Sequence, residues 1–283
     1  MKIFNWDLNK KIEINDPLVM CLGSFETLHL GHYLLIKEAK SLKIQNPNLK
    51  TAIIIFKNPI KKGEILNKKA FQLKVRLYTL LNLEFDYIFI IDFNNEIKNI
   101  EAKEFIDKLK EINVTNVICG PDFRFGFNKE GNPNLLKKHF SLIVTSEKKI
   151  NKRKISSTLI NELIEEGDIK TINSILIEKY SFIINLNKFN FEYPNNLTRL
   201  KSGIYLVNVV IKNYEYHGLC LINKNKNDNC QIYLLDLEIA PSKYEEVFIE
   251  FEDLLRNISA EEDNNIYDND VNEAISYFSR KVK

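Results

Sequence analysis

The residues best suited to chemistry sit together near the start of the chain. Residues 23–32, GSFETLHLGH, hold two of the four histidines and two of the nine glycines found in 283 residues. In the H-x-G-H arrangement of His29, Gly31 and His32, two imidazoles can aim hydrogen-bond donors at oxygens whose charge grows during phosphoryl transfer. Gly23 and Gly31 let the backbone approach such a guest closely. The apolar run 18–23, LVMCLG, reads as a strand and the stretch from Leu30 through HYLLIKEAKSL as a helix, so the motif spans a strand-to-helix turn. Ligands of open α/β sheets bind outside the carboxyl ends of strands, where a helix N-terminus offers N–H groups and positive partial charge. The expected guest is a phosphate.

The elements that must position this turn are legible as alternation. Short apolar runs at 18–23, 51–56, 87–92, 114–120 and 141–145 suit strands buried on both faces of a parallel sheet. Between them, 70–83 and 102–112 carry apolar residues at helical spacing. This is the doubly wound, Rossmann-like α/β pattern. After about residue 180 the strands YSFIINL, GIYLVNVVI, YHGLCLIN and CQIYLLDL follow one another with polar stretches between them, which predicts an antiparallel sheet or small β-barrel. Helices are expected near 243–256 and 268–282, and a domain boundary near residue 182. Composition agrees with a globular chain: 45% of residues are hydrophobic. A net charge of +2, from 40 basic and 38 acidic residues, gives no long-range field for nucleic acid or membrane. No signal segment or membrane span is expected, and the location is expected to be cytoplasmic. Cys21, Cys119, Cys220 and Cys230 form no CxxC pair and read as small buried hydrophobes.

Two further segments carry chemistry. DFRFG, at 122–126, follows the strand VTNVICG and pairs two aromatics able to pack on a ring system with Arg124, an anion partner; packing of Phe123 and Phe125 in the core is the plainer reading. Ser156, Ser157 and Thr158 precede the apolar helix positions Leu159, Ile160, Leu163 and Ile164, as caps or phosphate-binding hydroxyls. GSFETLHLGH, CGPDFRFGFNKEGN (119–132) and ISSTLINELIEEGDI (155–169) together resemble, in order and spacing across about 180 residues, the motifs of the bacterial FAD synthetase family. These are bifunctional riboflavin kinase/FMN adenylyltransferases within the H-x-G-H nucleotidyltransferase superfamily. The resemblance implies transfer of AMP from ATP to FMN, giving FAD and pyrophosphate, with Mg2+ entering alongside ATP and no protein metal ligand named. It implies that His29 and His32 are catalytic and that Gly23, Ser24, Phe25, Gly31, Ser156, Ser157 and Thr158 bind ATP. Asn58, Asp122, Phe123, Arg124 and Phe125 would flank the flavin. ATP, FMN and FAD are the implied partners. Residues 1–182 would form the adenylyltransferase domain and 183–283 a riboflavin-kinase-like barrel.

The chain departs from the pattern of that family at several points. Glu26 and Thr27 replace the usual Asp and Gly of the first motif, and Asn161 replaces the Arg that ends ISSTxIR. Lys152, Arg153 and Lys154 lie just upstream as alternative cations. FKNPI, with Phe56, Asn58 and Pro59, lacks the histidine of F-x-P-H-P. In the second domain EYPNNL (192–197) stands for G-x-P-T-A-N without its threonine, and Gln231 occupies the place of the glutamate base. An amide cannot act as a carboxylate base, so riboflavin kinase activity is expected to be lost. The alternatives are transfer to another phosphorylated acceptor, a non-catalytic flavin or nucleotide binder, and a barrel that still phosphorylates riboflavin.

Overall fold

The computed structural model describes residues 1–58, 68–225, 229–235, 242–260 and 262–281, with the backbone of a short hairpin, Ile60–Lys61 against Glu64–Ile65. Pro59, residues 226–228 of the polar loop and the end of QIYLLDL beyond Leu235 lie outside the described residues. The described residues divide into two compact units. The first comprises Met1–Lys69 and Arg76–Ser156; the second comprises Ala70–Val75 and Ser157–Lys283.

In the first unit β1 (Lys2–Asn5), β2 (Leu18–Leu22), α1 (Leu30–Gln45), β3 (Lys50–Phe56), α2 (Leu73–Asn82), β4 (Tyr87–Ile91), α3 (Ala102–Glu111), β5 (Val114–Cys119) and β6 (Ser141–Val144) follow in order, with shorter turns of helix left unlabelled. The first turn of α2 groups with the second unit. The strands form one sheet in the order β1-β4-β3-β2-β5-β6, parallel throughout. Every residue of β2 and β4 is buried, as a sheet covered on both faces demands. The register sets Cys21 beside Ile53 on one side and Ile118 on the other, so the ends of β2, β3 and β5 are neighbours. One strand was not expected. β1 is four residues of mostly exposed KIFN, too short and too polar for periodicity to mark, and it pairs at the edge beside β4. One face of the sheet buries Met20, Ile54, Phe89 and Val117 with Phe105, Ile106 and Leu109 of α3.

In the second unit α4 (Ser157–Glu166) and α5 (Ile169–Ile175) precede β7 (Ser181–Asn187), β8 (Asn190–Phe191), β9 (Gly203–Ile211), β10 (Tyr214–Ile222), β11 (Cys230–Leu234), β12 (Lys243–Asn257) and α6 (Asp268–Lys281). The six strands close into an antiparallel barrel in the order β7-β8-β11-β10-β9-β12. The first barrel strand begins at Ser181, where the pattern changes in the sequence, while the two helices before it also group with the barrel. A reason is visible at Asn173 on α5. Its amide donates to the Phe251 carbonyl at 2.8 Å and accepts from the Tyr180 N–H at 2.8 Å. Residues 243–256, expected to be helical, are the closing strand β12. Its Glu, Lys and Leu content favours a helix, but Val247, Ile249 and Phe251 are buried at alternate positions and both neighbours, β7 and β9, need its backbone. Tyr180, Phe182, Tyr205 and Phe251 fill the interior, with Phe182 and Phe251 at 4.9 Å between ring centroids. Asp270 secures α6, accepting from Arg256 Nε at 2.7 Å and Nη2 at 2.9 Å.

Gly218 on β10 marks a close approach, since a Cβ there would lie 2.6 Å from the Tyr233 carbonyl oxygen of the paired strand. Gly218→Val is therefore expected to lower stability by roughly 1–3 kcal/mol, read as a lower urea midpoint; an unchanged midpoint would show that β10 and β11 can separate at no cost.

Candidate functional site

The turn between β2 and α1 organises the histidines through its own backbone. His29 is the N-cap of α1, and its Nδ1 accepts the His32 N–H at 3.2 Å. The His32 ring turns back to the Thr27 carbonyl, to which its Nδ1 donates. The two rings stack, with centroids 3.8 Å apart and planes inclined by 11°. Gly31 is what allows this, because a Cβ there would sit 3.0 Å from Cε1 and Nδ1 of His29. The partners fix the neutral tautomers: His29 keeps its proton on Nε2, and His32 keeps its proton on Nδ1 with Nε2 bare.

Burial, reinforced by the neighbouring His32, lowers the pKa of His29 to about 2, and burial lowers that of His32 to about 4 against the pull of Thr27 and Asp122. Both are neutral at pH 7. The unfolded chain takes up these protons near pH 6.5, so it binds more protons than the folded chain below that value and stability must rise with pH. The urea midpoint is expected to fall as pH drops from 6.5 toward 4, and to fall less in His32→Gln; parallel profiles would refute the assignment.

Of the other residues expected at the nucleotide, Ser24 is exposed and Gly23 and Gly31 are half-buried. Phe25, expected to line the adenylate site, turns its side chain inward. It is fully buried at φ 42°, its ring lies under Gly23 and 4.6 Å from the ring of His32, and it braces the turn from beneath. What holds Phe25 there was not legible in the sequence. Arg76 on α2, 3% exposed, donates from Nη1 to the Phe25 carbonyl at 3.1 Å and from Nη2 to the Lys57 carbonyl at 2.9 Å. One guanidinium thus ties the motif turn to the exit of β3, where Asn58 stands half-buried. Burial lowers the Arg76 pKa to about 10 while the charge of Glu26 raises it, so it stays cationic at pH 7. Glu26, in place of the usual aspartate, supplies that countercharge; Thr27 is buried and offers its carbonyl to His32.

On the opposite flank, the end of β5 carries 122–126. Asp122 and Arg124 are exposed, and Arg124 Nη1 donates to the Phe123 carbonyl at 2.8 Å. Phe125 is buried in the core, 5.4 Å from the ring of Phe105, and Phe123, half-buried, stacks on it at 5.6 Å. Among the three upstream cations, Lys154 reaches the site, bonding Asp122 and, at 2.8 Å, Glu147. That bond holds the Asp122 carboxyl below its usual range. The charges of Asp122 and Lys154 act on His32 and His29 respectively, which joins this flank electrically to the histidine pair. The flavin candidates therefore lie on two sides of β2, Asn58 at β3 and 122–125 at β5.

Ser156 ends the first unit, and Ser157 and Thr158 open α4 in the second. There Asn161 donates to the Ser157 carbonyl at 2.8 Å and accepts from the Thr198 hydroxyl. Among the described residues no three His, Cys, Asp or Glu side chains gather as a metal cage would require, and no helix is long and apolar enough to cross a membrane. All four cysteines are buried free thiols.

Residues 11–159, more than half of the chain and the span that holds both histidines, match the family model for FAD synthetase. The chain belongs to the FAD synthetase family. It is a nucleotidyltransferase enzyme. Among similar proteins, the bifunctional riboflavin kinase/FMN adenylyltransferase of Buchnera aphidicola subsp. Acyrthosiphon pisum (strain APS) is 32% identical over 284 residues, covering 88% of each chain. The FAD synthetase of Listeria monocytogenes serovar 1/2a (strain ATCC BAA-679 / EGD-e) is 28% identical over 167 residues, 56% of this chain and 68% of its own. A crystal structure of a macrolide-efflux protein from Streptococcus pneumoniae superposes with a TM-score of 0.80, covering 98% of this chain and 96% of that one. At 19% identity that likeness concerns the fold alone.

Proposed function

We propose that this FAD synthetase family member transfers AMP from ATP to FMN, and that its barrel no longer phosphorylates riboflavin. The observation that carries the first part is the stacked histidine pair at the N-terminus of α1, His29 buried and His32 half-buried, inside the span matched to the family. A phosphate oxygen of FMN attacks the α-phosphorus of ATP, the bond from that phosphorus to the bridging oxygen breaks, and pyrophosphate leaves. Such chemistry is catalysed by positioning and charge stabilisation. His29, neutral and with its proton on Nε2, donates to the transferring phosphate without first titrating. His32 offers a bare Nε2 and becomes a second donor once the polyphosphate's negative charge draws a proton to it. Magnesium arrives as part of the substrate, bound to ATP oxygens, where it screens their charge. Ser156, Ser157 and Thr158 hold the polyphosphate, and Phe123 with Asn58 and Asp122 contacts the flavin.

In this reading residues 1–182 carry the transfer and 183–283 are a degenerate kinase-like barrel. Gln231 supports the loss: it is exposed on β11 and bears an amide where a base is needed. The similarity to bifunctional riboflavin kinase/FMN adenylyltransferases favours a second reading, in which riboflavin is still phosphorylated. One chromatographic assay with Mg-ATP decides. FAD from FMN but none from riboflavin is expected. FAD from riboflavin would establish the second reading, and none from FMN would overturn the transfer itself.

A further inference from the structure

The exit of β6 holds a buried hydroxyl that the fold does not use. Thr145 follows β6, is 9% exposed, and its Oγ1 has no hydrogen-bond partner among the described residues. Its N–H donates to the Cys119 carbonyl at 3.0 Å, so the pairing of β6 with β5 continues through it. Side chains alternate between the faces of a strand. Leu142 packs with Met20 and Val117 on the face that α3 covers, which puts Ile143 and Thr145 on the other face, in line with Ile118 and Cys21. That is the face of α1, since Cys21 Sγ donates to the Leu35 carbonyl at 3.7 Å. α1 begins beyond the end of β2, so Thr145 and the histidines share one face and one end of the sheet. A direct approach agrees: Cβ of Lys148, just after Thr145, lies 3.9 Å from where a Cβ on Gly31 would stand.

A buried hydroxyl left unpaired costs about 1–3 kcal/mol, and such a group in a native structure calls for an explanation. Its place in the sheet supplies one. The chain runs outward from β2 through β3 to β4 and then returns to β5 and β6 on the other side of β2, and ligands of open α/β sheets bind at such a reversal. A phosphate would demand charge-assisted donors, but the cation of this segment, Lys154, is paired with Asp122 and Glu147. One neutral hydroxyl on an apolar face fits instead the uncharged polar edge of a ring, as in sites that combine apolar walls with a few placed polar groups. We propose that Thr145 reads the base of ATP, its hydroxyl bonding a polar atom on the edge of adenine. The inference rests on the transfer reading, which makes ATP a substrate. The segment that Thr145 opens runs on to Ser156, the first of the polyphosphate candidates, which favours ATP over FMN as the partner. Nucleotide choice is then made on the β5–β6 side of the histidines, by a residue outside all three motifs.

The test uses the full chain with Thr145→Val, which removes the hydroxyl at nearly constant shape, and Thr145→Ser, which keeps it. Binding of Mg-ATP, adenosine and pyrophosphate is read by titration calorimetry and that of FMN by flavin fluorescence, beside KM for each substrate and the urea midpoint. Thr145→Val is expected to weaken ATP and adenosine alike by about ten-fold, the size of one lost hydrogen bond, with pyrophosphate and FMN unchanged. Its urea midpoint should hold or rise, because the free chain loses no bond. Thr145→Ser should stay close to the parent. Unchanged affinity for ATP and adenosine in Thr145→Val, a loss confined to FMN, or a parent that binds no ATP would each overturn the proposal. A lower midpoint with ATP binding intact would assign the hydroxyl to the fold and overturn it too. The transfer reading fails on a different result, a parent that makes no FAD from FMN, and the comparison of ATP with adenosine still decides Thr145 in that case.

Discussion

His29→Ala is expected to lower the rate of FAD formation at saturating FMN and Mg-ATP by about a thousand-fold. Removing one preorganised donor to a developing oxyanion costs roughly a hundred- to a thousand-fold in rate, and His29 is the histidine of the pair whose neutral form already carries its proton on the outward nitrogen. The same ring caps α1, so alanine also removes a cap at a cost of about 1 kcal/mol. His29→Asn separates the two effects. Asparagine is a favoured cap, so this variant should keep the parent's urea midpoint while remaining as inactive as the alanine. A His29→Asn enzyme within ten-fold of the parent rate would remove His29 from the chemistry and leave it a cap.

Arg76→Met is expected to produce the largest loss of stability among single substitutions in the first unit, about 3–5 kcal/mol, the range for breaking a buried charged pair from one side. Methionine fills similar space but leaves the Phe25 and Lys57 carbonyls without their donors and Glu26 without its countercharge. Arg76→Lys keeps the charge and can satisfy only one carbonyl well, so it should lie between the two. Because Arg76 joins the motif turn to the β3 exit, the lysine variant is also expected to raise KM for FMN. Urea denaturation beside steady-state kinetics, run where both variants remain folded, checks both statements. A lysine variant matching the parent in midpoint and KM would reduce Arg76 to a mere positive charge.

The legible parts of the sequence were those in which neighbours along the chain are neighbours in space. Leu18–Leu22, His29, Gly31 and His32 lie within fifteen residues and form one strand-turn-helix, so spacing alone announced the turn. Tertiary partners were silent. Arg76 reaches back 51 residues to Phe25 from a stretch whose local pattern states nothing about the site, and Lys154, one of three cations the sequence offered, reaches back 32 residues to an Asp122 partner that spacing does not name. The aromatics of DFRFG read as one pair, yet Phe125 is buried and Phe123 only half-buried, in a loop that Gly126 and Gly131 fold tightly over Ala102 and Phe125. In 243–257, side chains with helix preference are overruled by two unsatisfied strand edges.

That last strand also fixes an order of assembly. The first unit's sheet is complete once Val144 has been made. The barrel waits for Lys243–Asn257, since this segment alone bonds both β7 and β9. On the ribosome, therefore, β7 and β9 emerge with their backbone donors and acceptors unsatisfied and remain so while the intervening hairpins are synthesised. Open apolar strand edges pair readily with other chains. The vulnerable species in the life of this protein is thus the nascent chain halted before residue 243, with a working sheet at one end and an unclosed barrel at the other.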